Sequence, residues 1–123
     1  MLQLRSRIVV ADNSGAKEVE LIGIPGKGNR LIAYLGMVIT VVVKKADTVG
    51  QVRASEISKA VIVRVRKEFR RADGSYIRFD DNACVLLEGA TKDPRGTRVF
   101  GPICREVRLA GFQKIASLAT EIY

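Results

Sequence analysis

Closely spaced arginine and lysine side chains are the residues of this chain best suited to chemistry, and that chemistry is phosphate binding. Residues 59–78 contain seven Lys and Arg against two Asp and Glu, and residues 92–108 contain five against two. These two segments hold the whole net charge of +8, because the rest of the chain is balanced. Cations gathered in this way attract a phosphate backbone through Coulombic force and counterion release. The charge pattern predicts a nucleic-acid partner, with a merely solvated charged surface as the alternative.

Two further groups of residues give weaker chemical signals. Asp80 and Asp81 are adjacent carboxylates that would suit Mg²⁺, but neighbouring strand residues point to opposite faces, so hydrogen bonding in a turn or bulge is favoured. Residues 26–29, GKGN, lack the GxxxxGK[ST] pattern of a phosphate loop. A loop tip is the better interpretation, with Lys27 and Arg30 as candidate contacts to RNA phosphate. We predict neither a metal nor a cofactor.

The two cysteines, Cys84 and Cys104, are predicted to behave as small buried hydrophobes. The chain contains no histidine to complete a metal site or activate a thiol, and the CxxC spacing of zinc and redox sites is missing. The lack of histidine also removes the commonest general base at neutral pH. We therefore expect a binding protein rather than an enzyme.

Short strands are the elements that must position the cations. Residues 7–11 and 18–24 are predicted to form a hairpin around the turn formers at 12–15. Residues 37–43 are apolar apart from Thr40 and rich in Val and Ile, a composition that predicts a strand buried on both faces. About five or more short strands in 123 residues favour one mostly β domain, residues 1–123, built on a compact barrel.

The basic cluster lies on a predicted hairpin over residues 59–87 that turns at Asp73-Gly74. In its first arm, a set of apolar residues occupies odd-numbered positions and a set of charged residues occupies even-numbered positions. The apolar set is Val61, Val63, Val65 and Phe69, and the charged set is Arg64, Arg66, Glu68 and Arg70. Period-two alternation predicts an apolar face and an opposite charged face. Residues 80–82 suggest a bulge in the returning arm. The outer part of this ribbon is too polar for a core and is expected to project from the barrel.

The last third of the chain combines an extended basic loop with two predicted helices. Residues 92–102 contain two glycines, which allow close backbone approach, and two arginines, Arg95 and Arg98, whose guanidinium forks suit phosphate. Apolar spacing predicts short helices over residues 103–110 and 113–119. No run approaches the roughly 20 apolar residues of a membrane span, and the start lacks a signal-peptide pattern, so we expect a protein made inside the cell or an organelle and no membrane partner.

Four separated stretches carry a resemblance to one known family. They are residues 10–16, VADNSGA; residues 60–63, AVIV, with 73–86, DGSYIRFDDNACVL; residues 96–102, GTRVFGP; and residues 114–119, KIASLA. In this order they resemble the universal large-subunit ribosomal protein L-fourteen family of bacterial and organellar type. The resemblance implies a five-stranded β-barrel with a projecting ribbon and two small C-terminal helices, seated on large-subunit rRNA.

The resemblance also implies partners and binding residues. Members neighbour the large-subunit proteins numbered three and nineteen, help form bridges to small-subunit rRNA, and bind a ribosome-silencing factor. The ribbon's phosphate contacts would be Arg64, Arg66, Lys67, Arg70, Arg71 and Arg78. The patch for the silencing factor would be Thr97, Arg98, Lys114 and Ser117.

Departures from the family pattern bear on the compartment. Arg53-Ala54-Ser55-Glu56 stands where many bacterial members have Lys-Lys-Gly-Asp, and Ser-Glu is similar to plastid members. Met37, Ala72 and Thr120 also depart from common family residues. We therefore expect an organellar ribosome, with the chloroplast favoured over the mitochondrion and the bacterial cytoplasm as the remaining alternative. A free-standing barrel that binds single-stranded nucleic acid is the alternative function, and a small hydrolase using Asp80 and Asp81 is a distant third.

Overall fold

Seven strands and two short helices make up the computed structural model, which describes residues 2–25, 32–50, 52–89 and 91–123. The strands are β1 Arg7–Val10, β2 Ala16–Gly23, β3 Val38–Ala46, β4 Ile57–Arg64, β5 Phe69–Arg70, β6 Tyr76–Ile77 and β7 Ala83–Leu86. The helices are α1 Arg105–Leu109 and α2 Gln113–Leu118. No helix in these ranges is long and apolar enough to cross a membrane.

A closed barrel in the order β1-β2-β3-β4-β7 forms the body of the protein. Neighbouring strands from β1 to β4 are antiparallel, as are β4 and β7. The barrel closes by parallel pairing of β1 with β7, in which Val9 lies opposite Ala83 and Val10 opposite Cys84. Closure leaves no unpaired edge on this sheet. The predicted mostly β fold with a five-stranded barrel and two short helices is confirmed.

The barrel interior is filled by branched aliphatic side chains from every strand. Ile8, Leu21, Ile39, Ile62 and Leu86 are all fully buried. In β3 the inward residues are buried while Val38, Thr40 and Val42 remain partly exposed. The prediction that this strand is buried on both faces was therefore wrong, because the barrel covers only its inner face.

Strand β4, in contrast, is more buried than its sequence pattern predicts. Residues 60–64 are buried without interruption, including Ile62 and Arg64 on the face expected to be charged and exposed. Helix α1 packs against β4, and the Cys104 amide donates to the Val63 carbonyl oxygen at 3.1 Å. Ala60 lies opposite the inward-facing Ile39, so Ile62 lies on the barrel's inner face, and the C-terminal region covers the outer face that carries Val61 and Val63. This tertiary contact is not encoded by alternation along the strand.

The predicted hairpin over residues 59–87 is present in two parts. Strands β4 and β7 belong to the barrel, whereas β5 and β6 form a separate two-stranded sheet, with Phe69 opposite Ile77 and Arg70 opposite Tyr76. A register shift in the pairing of β4 with β7 falls between Ile62 and Arg64. We call residues 66–82, which lie beyond β4 and before β7, the ribbon.

Candidate nucleic-acid interface

The ribbon ends in a turn that its own side chains hold in shape. Asp73 Oδ1 accepts hydrogen bonds from the Ser75 amide at 2.9 Å and the Ser75 hydroxyl at 2.6 Å. Gly74 adopts φ of +88°, a left-handed conformation that glycine takes without steric cost. These bonds, the side-chain one above all, lower the pKa of the Asp73 carboxyl. The turn is therefore formed before any partner arrives.

Four of the cations predicted to contact phosphate are exposed on the ribbon: Arg66, Lys67, Arg70 and Arg78. Within the described ranges, no ion pair engages any of the four. At the base of the ribbon, the Arg66 amide donates to Asn82 Oδ1 at 2.8 Å, which joins its two arms. A fixed backbone thus presents unpaired positive charge to solvent, as binding of a phosphate backbone requires.

Arg64, another predicted phosphate contact, lies inside the protein. Only 8% of the residue is exposed. Its Nε donates to Asp81 Oδ1 at 2.9 Å, and its Nη1 donates to the carbonyl oxygens of Phe100 at 2.8 Å and Pro102 at 3.1 Å. The guanidinium therefore joins β4 to the returning arm and to the loop before α1. Its predicted phosphate contact stays a prediction, while its observed role is structural.

The bond between Arg64 and Asp81 also bears on the predicted carboxylate pair. Asp81 accepts a hydrogen bond from the Arg64 guanidinium, which lies 17 residues away along the chain, rather than a bond within the predicted turn or bulge. Elsewhere in the described part of the chain, no three His, Cys, Asp or Glu side chains are grouped so as to hold a metal ion.

Arg71 ties the ribbon to helix α1. Its Nε and Nη2 donate to the two carboxylate oxygens of Glu106 at 2.9 Å and 3.0 Å, a bidentate pair in which both side chains are largely buried. Bidentate guanidinium–carboxylate pairs fix orientation as well as distance. Arg71 therefore holds the ribbon in place, and its predicted phosphate contact is also untested.

The loop of residues 91–102 is fastened to the start of the barrel by Asn13. The Asn13 Oδ1 accepts from the amides of Thr97 at 2.7 Å and Arg98 at 3.0 Å, and its Nδ2 donates to Thr97 Oγ1 at 2.8 Å. A Cβ placed on Gly96 would lie 2.6 Å from Asn13 Oδ1, so only glycine allows this approach. The segment predicted to be a basic loop is thus a shaped surface.

Arg95, predicted to contact rRNA, lies against β4. Its Nη1 is 3.1 Å from Glu56 Oε1, and the side chain is 18% exposed. Glu56 also accepts from the Arg53 amide, and that bond, followed by the Arg95 pair, lowers the pKa of the Glu56 carboxyl. Arg95 thus connects the second basic segment to the residues 53–56 that depart from the family pattern.

The four residues predicted to bind a silencing factor, Thr97, Arg98, Lys114 and Ser117, are all exposed. Lys114 Nζ lies 3.4 Å from Asp93 Oδ1, and Lys92 Nζ donates to the Ala110 carbonyl oxygen at 3.0 Å. These contacts join the loop that carries Thr97 to the helices that carry Lys114. The loop and α2 therefore belong to one continuous part of the surface. Lys27 and Arg30, the remaining predicted contacts, lie outside the described residues.

Both cysteines are free and buried, as predicted for small hydrophobes. Burial raises the pKa of the Cys84 thiol and raises that of Cys104 to about 12. Burial thus disfavours the thiolate form of both cysteines.

Asp12 is a buried carboxyl whose role the sequence pattern did not indicate. Its oxygens accept from the Ser14 amide and hydroxyl at 3.1 Å and 2.6 Å, and from the Leu86 amide at 3.0 Å. Burial raises the pKa of Asp12 in spite of these bonds. The turn-former composition of residues 12–15 was the available signal for the local bonds. The bond to Leu86 spans the chain and has no local signature.

Comparison with known proteins identifies the family. The family model described as ribosomal protein L14p/L23e matches residues 1–123. A curated relative from Aquifex aeolicus (strain VF5), named large ribosomal subunit protein uL14, is 57% identical over 122 residues, which is 99% of each chain. This relative is bacterial, and an organellar origin stays a prediction. The barrel, the ribbon and the whole-length match together show that this chain belongs to the ribosomal protein L14p/L23e family.

Proposed function

We propose that this protein is a non-catalytic structural component of the large ribosomal subunit that binds large-subunit rRNA. One observation carries the proposal: Arg66, Lys67, Arg70 and Arg78 are exposed on the preformed ribbon and are unpaired within the described residues. The name of the bacterial relative, which places that protein in the large subunit, supports the choice of ribosome over a free-standing RNA-binding barrel.

The mechanism is electrostatic. RNA segments that pack together repel through their phosphates, and cations on a fixed support reduce that repulsion while releasing condensed counterions. Arg71 and Arg64 serve this mechanism indirectly, because their carboxylate partners Glu106 and Asp81 fix the ribbon against the barrel and α1. Order in the ribbon before binding lowers the entropy cost of association.

Further partners belong to the same proposal. The exposed loop and α2 would carry the docking patch for a ribosome-silencing factor, centred on Thr97 and Lys114, which Asn13 and Asp93 hold in place. We also propose contacts with the large-subunit proteins numbered three and nineteen and with small-subunit rRNA across the subunit interface. An organellar ribosome, the chloroplast first, is the compartment proposed from residues 53–56.

Gradient sedimentation tests the ribosomal assignment. Tagged protein should co-sediment with the large subunit, whereas recovery mainly in light fractions would favour the free-standing barrel. Purified protein should also bind large-subunit rRNA with an affinity that falls steeply with salt. The slope of log affinity against log salt should decrease in magnitude by about 0.7–0.9 for each phosphate contact removed. Arg70→Ala should show that decrease, and an unchanged slope would count against the ribbon as the interface.

The silencing-factor patch has its own test. Arg98→Glu should weaken binding of the factor in a pull-down while leaving association with the large subunit intact. The Arg98 side chain can be changed with little disturbance, because it is the backbone amide of this residue that binds Asn13. Undiminished capture of the factor by the variant would remove the patch from the proposal.

A further inference from the structure

An open groove of about 550 Å³ lies between the ribbon and the last described residues. Its lining consists of Arg71, Tyr76, Ile77, Arg78, Phe79 and Tyr123. The volume falls in the range of roughly 300–1,000 Å³ that small-ligand sites occupy. We propose that this groove holds one unpaired RNA nucleotide, with its base stacked on a tyrosine ring and its phosphate on Arg78. The inference rests on the proposed rRNA-binding function and specifies how part of that surface reads RNA.

The two tyrosines are unusually available for stacking. Tyr76 is 64% exposed and Tyr123 is 55% exposed, although both carry large aromatic rings. The one ring–ring contact found in the described ranges joins Tyr34 to Phe69, so Tyr76, Phe79 and Tyr123 do not cover one another. Base–aromatic stacking needs an open ring face and works with any base.

Both walls of the groove are fixed in position. Tyr76 pairs with Arg70 in the ribbon, and the Tyr123 amide donates to the Ile103 carbonyl oxygen at 2.9 Å. The Tyr123 hydroxyl also donates to Glu121. Tyrosine loses little conformational entropy on binding because it has few rotatable bonds, and a fixed ring loses less.

The two arginines of the groove are expected to contact different parts of the nucleotide, Arg71 the base and Arg78 the phosphate. Two nitrogens of Arg71 are bound to Glu106, which fixes the plane of the guanidinium beside the rings. A planar guanidinium stacks on bases as well as on aromatic rings. Arg78 is exposed and has no ion pair within the described residues, so it remains available to a phosphate.

Recognition by stacking selects an unpaired nucleotide over a duplex. The bases of an RNA helix are stacked on each other, so an aromatic side chain reaches a base face only in loops, bulges and single strands. Among the lining residues, Arg78 has no ion pair within the described ranges, whereas Arg71 is paired with Glu106 and the Tyr123 hydroxyl is bonded to Glu121, so an anionic group is best placed at Arg78. An acidic protein segment is the competing occupant for this charge.

The test compares a short oligoadenylate with an abasic oligonucleotide of the same length, which carries the phosphates without the bases. Wild-type protein should bind the oligoadenylate more tightly. At least one of Tyr76→Ala and Tyr123→Ala should reduce that affinity by roughly 5- to 150-fold, the loss of one stacked base, and neither should change the salt slope. Tyr76→Phe keeps the ring and should bind as wild type does.

Two outcomes would overturn the inference in distinguishable ways. Equal wild-type affinity for the two oligonucleotides, or wild-type affinity in the Tyr76→Ala and Tyr123→Ala variants, would exclude stacking in the groove and leave a protein segment as its occupant. In that case rRNA binding that still depends on Arg66 and Arg70 would preserve the proposed function. Absence of any RNA binding by the wild-type protein would overturn both.

Discussion

Replacing Arg64 by Met should destabilise the fold while leaving the salt dependence of RNA binding unchanged. Methionine keeps the apolar stem of the side chain but removes three hydrogen bonds, and the carbonyl oxygens of Phe100 and Pro102 lose their shared donor. Truncating one partner of a buried charge pair costs about 3–5 kcal/mol. The Asp81 side chain is 43% exposed, so water can replace the lost guanidinium as its hydrogen-bond partner. We therefore expect the free energy of unfolding to fall by about 3 kcal/mol, the low end of that range.

Urea denaturation followed by circular dichroism measures this loss. Its matched control is Arg66→Met, because Arg66 is exposed and two residues away, and exposed substitutions usually change stability by less than about 0.5 kcal/mol. A loss of 3 kcal/mol in a domain of this size corresponds to a fall in melting temperature of roughly 10 °C. An unchanged slope of the unfolding free energy against urea would show that the change lies in stability itself.

A salt titration of rRNA binding separates the two roles assigned to arginine. Arg66→Met should decrease the salt slope by the equivalent of one phosphate, whereas Arg64→Met should retain the wild-type slope. The reasoning would be refuted if Arg64→Met unfolded at the same urea concentration as its control and lost slope as the control does. Arg64 would then be a phosphate ligand, as the sequence predicted.

Two further predictions concern contacts of the second basic segment, namely the hydrogen bonds of Asn13 to the loop and the ion pair of Arg95 with Glu56. Asn13→Ala should destabilise the protein by about 2 kcal/mol and speed tryptic cleavage after Arg98, since three hydrogen bonds to the loop are lost. Asn13→Asp keeps the two accepting contacts and should be cleaved more slowly than Asn13→Ala; equal cleavage would refute the anchoring role. The lowered pKa of Glu56 means that its contribution to stability is present above pH 4.5 and is lost as the pH falls through the folded pKa. Glu56→Gln should therefore be destabilising at neutral pH and match wild type in strong acid, as urea denaturation across pH would show; a difference that persists in acid would contradict this assignment.

The strands and helices were predictable because their signals are local. Alternation, turn residues such as Asp73-Gly74 and helical spacing after residue 103 located the hairpins and both helices to within a few residues. The barrel followed from the number of short strands. In contrast, the burial of Arg64 depends on the carbonyl oxygens of Phe100 and Pro102, and the covered outer face of β4 depends on α1. The sequence shows no sign of contacts between such distant segments.

The candidate interface was predictable in location and only partly in detail. Charge counts identified the ribbon, but they do not separate Arg66 and Arg70, which face solvent, from Arg64 and Arg71, which bind carboxylates. Asp81, the partner of Arg64, lies 17 residues away along the chain, and Glu106, the partner of Arg71, lies 35 residues away. Both separations are beyond any local pattern. The groove at Tyr76 and Tyr123 joins two distant segments that no local sequence pattern connects.

The parallel pairing of β1 with β7 has a consequence for how the chain folds during its own synthesis. Residues 7–10 must wait for residues 83–86 before the barrel closes, and the Asp12 carboxylate waits for the Leu86 amide. Until then a nascent sheet of β1 to β4 has two open edges, which are templates for pairing with other chains. Long-range closure of this kind slows folding. The growing protein is therefore most exposed to aggregation just before translation reaches β7.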